Sequence, residues 1–418
     1  MKIQELVEAK ARVAKQAATH LALCPTRVKD EALGQMALAL EEQAPIILEA
    51  NRVDLERGRA RGYSRAFLDR LTLTERRIEE MARGLREIGQ LPDPVGKVAE
   101  VRHGPNGVEI RRVRVPLGVV AVIYESRPNV TADAAGLSIK AGNAVILRGG
   151  SEALQSNAAI ASVLGKALTK VNVPTEAIQF IDTPDREAVM ALLMLDRYVD
   201  LIIPRGGEEF VRLVAEKSTV PVLKHDKGLC HVFVDEDAEL DMAADIVFNA
   251  KVQRPGVCNA METLLVHQAI APQFLGAAAS RLRAAGVELR GCPRTCALVA
   301  EAREATEADW DTEYLDLILS VKVVDSLEEA IGHIRAHGSG LAEAIVTSHY
   351  GRARRFVQEV DAAAVLVNAS TRLVDGGQFG MGAEMGVSTS KLHARGPVGV
   401  EELTTTKFVV LGDGQVRE

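Results

Sequence analysis

The sequence predicts an α/β protein built from two doubly wound, parallel-sheet domains plus a small β element. Three observations carry that prediction. At 418 residues the chain exceeds what a single hydrophobic core usually supports, so two domains are the default. From residue 117 onward short apolar stretches alternate with amphipathic ones, the rhythm of strand and crossover helix in a sheet covered on both faces. Two further β-type stretches, 108–115 and 404–411, fall outside that rhythm.

Taken in order, residues 1–100 read as helices. Ile78, Met81, Ala82, Leu85 and Ile88 recur at helical spacing, and Thr72-Leu73-Thr74-Glu75 has the form of a capping box at the entry. Stretch 108–115 alternates apolar and charged residues with a phase slip at Arg111-Arg112, which predicts a two-stranded ribbon with a bulge there. Strands are then expected at 118–124, 144–148, 177–181, 200–204 and 221–224, with helices 130–140, 153–169, 185–195 and 208–217 between them. After Asp235 the pattern resumes: helix 240–249, strand 263–267, a helix near 272–285, strand 317–324, a helix opened by Ser326, and strands 344–347 and 363–368. The expected division is 1–225 with 106–116 as a protruding ribbon, 226–390 as a second domain, and 391–418 as a β tail.

Composition excludes several classes. With 47% hydrophobic and 26% charged residues, the chain is neither disordered nor fibrous. A net charge of −7 leaves no basic surplus for generic nucleic-acid binding. No apolar run approaches the ~20 residues of a membrane span, and the amphipathic start carries Glu5 and Glu8 without a signal core, so a cytoplasmic protein is expected. Five scattered cysteines do not form a disulfide framework, and the spacing from Cys292 to Cys296 is not CxxC, so no metal is expected.

The stretch with most chemistry is Gln253-Arg254-Pro255-Gly256-Val257-Cys258-Asn259, a thiol on a Pro-Gly turn between a helix and an apolar strand. Two readings stand: a buried inert cysteine, or a nucleophile that meets a carbonyl substrate. Arg254 and Asn259 favour the second, because a cation and an amide donor stabilise a thiolate and then an oxyanion. At an ordinary pKa near 8.5 only ~3% of a thiol ionises at neutral pH, so such neighbours matter. No G-x-G-x-x-G follows a strand, and Gly380-Met381-Gly382 reads as loop. Strands instead end in Arg148-Gly149-Gly150-Ser151 and Arg205-Gly206-Gly207, which are either ordinary glycine turns or places where N–H groups and an Arg meet a phosphate.

The run QRPGVCNAMETLLVH (253–267) resembles the catalytic-cysteine segment of the aldehyde dehydrogenase superfamily, nearest the branch that reduces glutamyl 5-phosphate. Similar agreement appears in ESRPNVTADAAGLSIKAGNAVILRGGSEA (125–153), LKHDKGLCHVFVD (223–235) and the stretch 367–409, so the resemblance covers nearly the whole chain. It implies an aldehyde-dehydrogenase-like fold with a β oligomerisation element formed by ribbon and tail, and an active site in a cleft between the domains. It also implies NADPH-dependent reduction of an acyl phosphate through a thioester on Cys258, in proline biosynthesis, with donors from Asn259, the Cys258 N–H and Ser126 at the oxyanion. Arg148 falls where the superfamily has a lysine near the adenosine ribose; a guanidinium there favours NADP through its 2′-phosphate. Glu313 matches a glutamate that contacts the nicotinamide-side ribose. Substrate contacts are expected from Arg127, Lys224, His225, Arg254, Asn368, Ser370, Thr371 and Arg372.

Further positions depart from the superfamily pattern. Hydrolytic members carry a water-activating glutamate where this chain has Lys224 and His225, which suits a phosphate rather than water. Asp226 keeps open the alternative of a hydrolytic NAD(P)-dependent aldehyde dehydrogenase acting on a small semialdehyde. Leu341 stands where a histidine is expected and Leu373 where a phenylalanine is usual. The implied partners are the small-molecule substrate, further copies of the chain in a homo-oligomer and, functionally, a glutamate 5-kinase.

Overall fold

The computed structural model describes residues 2–224 and 227–417, in two compact units. The first holds residues 2–224 with Gly380–Gly386 and the C-terminal stretch from Val398; the second holds residues 227–379 and Val387–Pro397. The stretch expected as a separate tail from residue 391 is therefore divided, because strand pairing, not chain position, decides membership.

Five helices open the first unit: Ile3–Leu21, Thr26–Glu42, Ala44–Ala60, Arg65–Leu71 and Glu75–Gln90. The last buries Ile78, Met81, Ala82, Leu85 and Ile88, as its spacing predicts. Its N-cap is Thr74, whose hydroxyl accepts from Arg77 N at 3.2 Å; Thr72 instead ends the preceding helix, so the expected capping box does not form. Helix Asn129–Lys140 packs against it through Gly136, where a Cβ would stand 2.5 Å from Leu85.

Four parallel strands lie in the order Ile178–Phe180, Ala144–Gly149, Val119–Tyr124, Leu201–Arg205. The chain moves outward one way from Val119–Tyr124, then returns to pair Leu201–Arg205 on the other side, so the order reverses between these two strands. Stretch 221–224 contributes only an isolated bridge, Ile202 to Val222, rather than a fifth strand. Strands Val98–His103, Glu109–Pro116 and Thr404–Leu411 form a separate antiparallel sheet. The expected bulge at Arg111-Arg112 is absent there: pairing with Thr404–Leu411 runs unbroken, and the slip lies between Val98 and Glu100 on the other neighbour.

In the second unit seven parallel strands run Arg303–Glu304, Glu288–Gly291, Ile318–Val324, Met261–His267, Cys230–Val234, Ala342–Val346, Ala364–Val367. Met261–His267 and Cys230–Val234 are buried throughout, as central strands covered on both faces must be. Valines and leucines of these strands and the helices Leu240–Val252 and Ala271–Ala284 make the core on one face. Helices Leu327–His337 and Tyr350–Glu359 cover the other. Cys230–Val234, the short strand Glu288–Gly291 and helix Tyr350–Glu359 were not anticipated from sequence.

Candidate active site

Cys258 lies on the loop 253–260, between the end of helix Leu240–Val252 and the start of strand Met261–His267. The thiol is thus carried at the amino end of a central strand, opposite to the carboxyl ends where open α/β sheets usually hold ligands. A turn closed by Ala260 N donating to Val257 O at 3.0 Å sets the local backbone, and Cys258 is half-buried. Behind it the buried thiol of Cys230 donates to the Cys258 carbonyl at 3.3 Å; burial pushes that thiol well above its ordinary pKa, so Cys230 stays protonated.

Two side chains clamp this loop. Arg372, on the 3₁₀ turn Thr371–Leu373, donates from Nε to Gln253 Oε1 at 2.9 Å and from its guanidinium to Asn259 Oδ1. Asn259 is 5% exposed and donates from Nδ2 to Val374 O at 2.8 Å. The sequence places Asn259 as an oxyanion donor; the structure turns its amide inward, joining the thiol loop to the 371–374 turn. Ser370 caps that turn, its hydroxyl accepting from Arg372 N at 3.3 Å. Burial lowers the pKa of Arg372, and the nearby charge of Arg254 pushes the same way while Asp375 and the Cys258 sulfur oppose it. The charges of Arg254 and of the Cys258 sulfur thus both reach Arg372, and Arg254 itself is exposed.

Other expected residues fall elsewhere. Asn368, in a left-handed conformation (φ 53°), exchanges bonds of 2.9 and 3.0 Å with the Thr347 backbone and so ties together two strand ends. Leu341 is fully buried beside Cys230 and Val374, where a histidine would need a polar partner, and Leu373 is exposed. Glu313 is half-buried before the left-handed Leu315. His225 and Asp226 lie outside the described residues. Sequence reasoning missed Gln253 and Gly228. A Cβ on Gly228 would stand 2.0 Å from the Cys258 carbonyl oxygen and 2.6 Å from its Cα, so the chain passes directly behind the Cys258 backbone. Only contact across thirty positions reveals this, and sequence carries no signal for it.

In the first unit, the strand reversal between Val119–Tyr124 and Leu201–Arg205 marks where open α/β sheets bind ligands, outside the strands' carboxyl ends. Ser126 sits there with φ 50°, its N–H and hydroxyl both donating to Glu152 Oε1 at 2.7 and 3.1 Å. Gly206 and Gly207 are exposed, and a Cβ on Gly207 would meet open space. Glu208 and Glu209 occupy the first turn of the following helix and Glu125 accepts from Gly207 N at 3.4 Å, so this turn disfavours a phosphate. The Gly149-Gly150 turn is tightly built: a Cβ on Gly149 would stand 2.0 Å from Asn157 Nδ2, and Ser151 beyond it is exposed.

Arg148 is held differently from the exposed fork expected of it. Only 8% exposed, it donates inward to Gly149 O at 2.8 Å, Pro184 O at 3.1 Å and Asp185 O at 3.4 Å, bracing the 184–186 turn rather than presenting a free fork. The exposed cation whose charge reaches it is Arg186, which the sequence reading passed over. Lys224 and Arg127 are half-buried in this unit. Among the described residues no group of His, Cys, Asp and Glu is arranged to hold a metal, and no helix is long and apolar enough to cross a membrane.

One unit carries a thiol at the amino end of a central strand of a seven-stranded parallel sheet, and the other a four-stranded parallel sheet with a strand reversal of the kind that binds ligands. Residues 2–306 and 306–409 match the aldehyde dehydrogenase family model, and the chain belongs to that family. It is 57% identical over 412 residues to the Gamma-glutamyl phosphate reductase of Moorella thermoacetica, covering 99% of each chain. It is 54% identical over 418 residues to the protein of that name from Geobacter metallireducens, covering 100% of both. The crystal structure of Gamma-glutamyl phosphate reductase from Thermotoga maritima superposes with a TM-score of 0.97 at 49% identity, covering 99% of this chain and 100% of that one. The resemblance read from residues 253–267 and the aldehyde-dehydrogenase-like fold class are both borne out.

Proposed function

We propose that this protein is an NADPH-dependent reductase of glutamyl 5-phosphate in proline biosynthesis, forming glutamate 5-semialdehyde and phosphate through a thioester on Cys258. The observation that carries the reading is a half-buried thiol on a loop that Arg372 grips through Gln253 and Asn259, with the exposed Arg254 on the same loop. The shared name of full-length relatives at 49–57% identity supports the substrate.

The Cys258 thiolate attacks the acyl carbon, and the C–O bond to phosphate breaks as the tetrahedral intermediate collapses. The Cys258 N–H supports the oxyanion, while Arg254 and Arg372 neutralise the leaving phosphate and hold the substrate carboxylate. Asn259 and Ser370 keep Arg372 in register with the thiol. A bound nicotinamide dinucleotide supplies the hydride that reduces the thioester carbon. Release of the aldehyde then breaks the C–S bond and returns the thiolate. The strand reversal fits a dinucleotide: Ser126, Gly149, Gly150 and Ser151 would line its phosphates, Arg186 is the exposed cation for a ribose 2′-phosphate, and Glu313 is the carboxylate for the other ribose.

The reading carries two associations. Strand Thr404–Leu411 leaves Phe408, Val410 and Leu411 exposed on an open sheet edge, which suits self-association into a homo-oligomer. Acyl phosphates hydrolyse readily, which favours handover from a glutamate 5-kinase. The deciding experiment runs the reaction backwards, as phosphate-dependent reduction of NADP by glutamate 5-semialdehyde, on the wild type and on Cys258→Ser. Turnover is expected only with both inorganic phosphate and the thiol; turnover without phosphate would establish the hydrolytic reaction instead.

A further inference from the structure

The strand start that follows the thiol loop is irregular. Cys230 pairs with Met261 and His231 with Thr263, so Glu262 is the extra residue at a register slip, and a bulge re-aims the side chain it carries. Glu262 is 1% exposed, and its Oε2 receives Lys251 Nζ at 2.6 Å; Lys251 is fully buried. Lys251 belongs to the last turn of helix Leu240–Val252 and Glu262 to the first residues of strand Met261–His267, so this pair closes the base of the loop that carries Cys258.

The second carboxylate oxygen of Glu262 faces another loop. It accepts from Leu315 N at 3.2 Å, and Leu315 is held left-handed at φ 54°, a conformation a leucine does not adopt unaided. Lys251 Nζ also lies 5.9 Å from the Tyr314 ring, and Gly256 of the thiol loop approaches Leu315 O. Tyr314 is itself fixed through its hydroxyl, 2.7 Å from Asp309 and 2.8 Å from Ser320. A buried ion pair of this kind adds little stability over two apolar side chains of like volume, so its value lies in what it orients.

We propose that Lys251 and Glu262 are positioning residues: one buried joint that fixes the Cys258 loop and the Glu313–Leu315 loop relative to each other. This rests on the reading of Cys258 as nucleophile and Glu313 as a cofactor contact. Neither member of the joint needs to touch substrate. Burial raises the carboxyl of Glu262 to about 7 and lowers Lys251, which fits a pair held in place by its surroundings.

The test replaces both residues together, Lys251→Met with Glu262→Met, which removes the charges and keeps the volume. The variant is expected to melt within about 5 °C of wild type. Alkylation of the Cys258 peptide by iodoacetamide, followed by mass spectrometry without cofactor, is expected to change about fivefold or more, and NADPH to bind about threefold more weakly. Turnover is expected to fall about tenfold or more, with KM for the acyl phosphate within about twofold. A folded double variant with wild-type alkylation and wild-type NADPH affinity overturns the proposal. Should that variant not fold, Glu262→Gln keeps an acceptor for Leu315 N–H and is judged by the same two readouts. Cys258→Ser is assayed alongside: retained activity there refutes the thioester reading, whereas alkylation reports the loop whichever way that falls.

Discussion

Replacing Gly228 by alanine puts one methyl group behind Cys258, the proposed nucleophile. Its Cβ would stand 2.0 Å from the Cys258 carbonyl oxygen and 2.6 Å from both its Cα and carbonyl carbon, all backbone atoms with no rotamer to escape into. A carbon and a carbonyl oxygen settle no closer than about 3.3 Å, so one backbone must move by about 1 Å. Overpacking of this size costs about 1–3 kcal/mol of stability, a fall of roughly 3–10 °C in Tm for a unit this large. A displacement of about 1 Å at a reacting atom costs about a hundredfold in rate, near 2.7 kcal/mol of barrier. Gly228→Ala is therefore expected to fold, with kcat down about a hundredfold and KM little changed. Melting curves and steady-state reduction of glutamyl phosphate measure both; wild-type kcat in a folded Gly228→Ala protein would refute the claim that this glycine sets the thiol's position.

Three more outcomes follow from the geometry. Arg372→Lys keeps the charge but cannot bond Gln253 and Asn259 together; losing one charge-assisted bond of about 1.5–3 kcal/mol should lower kcat/KM about 10–100-fold, measured with saturating NADPH. Arg186→Glu should raise KM for NADPH about tenfold while leaving NADH nearly unaffected, checked by parallel titrations with the two cofactors. Burial, reinforced by the charges of His231, Lys322 and His337, pushes buried His333 down to about 2. A histidine whose folded pKa lies below its unfolded value binds fewer protons when folded, so it contributes stability above pH ~6.5 that is lost as pH falls toward the folded value. His333→Phe should flatten the fall in Tm between about pH 7 and 5 relative to wild type, read by thermal denaturation across that range.

Much of the fold is legible because covered strands must be apolar and must alternate with helices. Val119–Tyr124 and Ala144–Gly149 are buried at every position, and their sequence reads that way. Cys230–Val234 was missed because it follows a polar, glycine-containing stretch and begins with Cys230-His231. What makes that histidine acceptable inside a sheet is Glu343, 2.9 Å away and 112 positions distant. Helix Tyr350–Glu359 was missed because it is short and mostly polar, with Phe356 its one buried residue, so its apolar face is narrow. At the candidate site, residue type and family resemblance singled out Cys258 and Arg372, and the structure brings Arg372 onto the Cys258 loop. Asn259, Arg148 and Gly228 were not, because their roles depend on partners: Val374 O, the Pro184 and Asp185 carbonyls, and the Cys258 backbone. Periodicity records which face is buried; it does not record which carbonyl waits across the fold.

The central claim is a covalent bond between substrate and Cys258, and it can be seen directly. Wild-type enzyme mixed with freshly generated glutamyl 5-phosphate in the absence of NADPH, quenched in acid and digested, should yield the peptide containing Cys258 heavier by one glutamyl group. That species should vanish when NADPH is added before the quench. An unmodified Cys258 peptide from a preparation that reduces the same glutamyl 5-phosphate once NADPH is supplied would contradict the account.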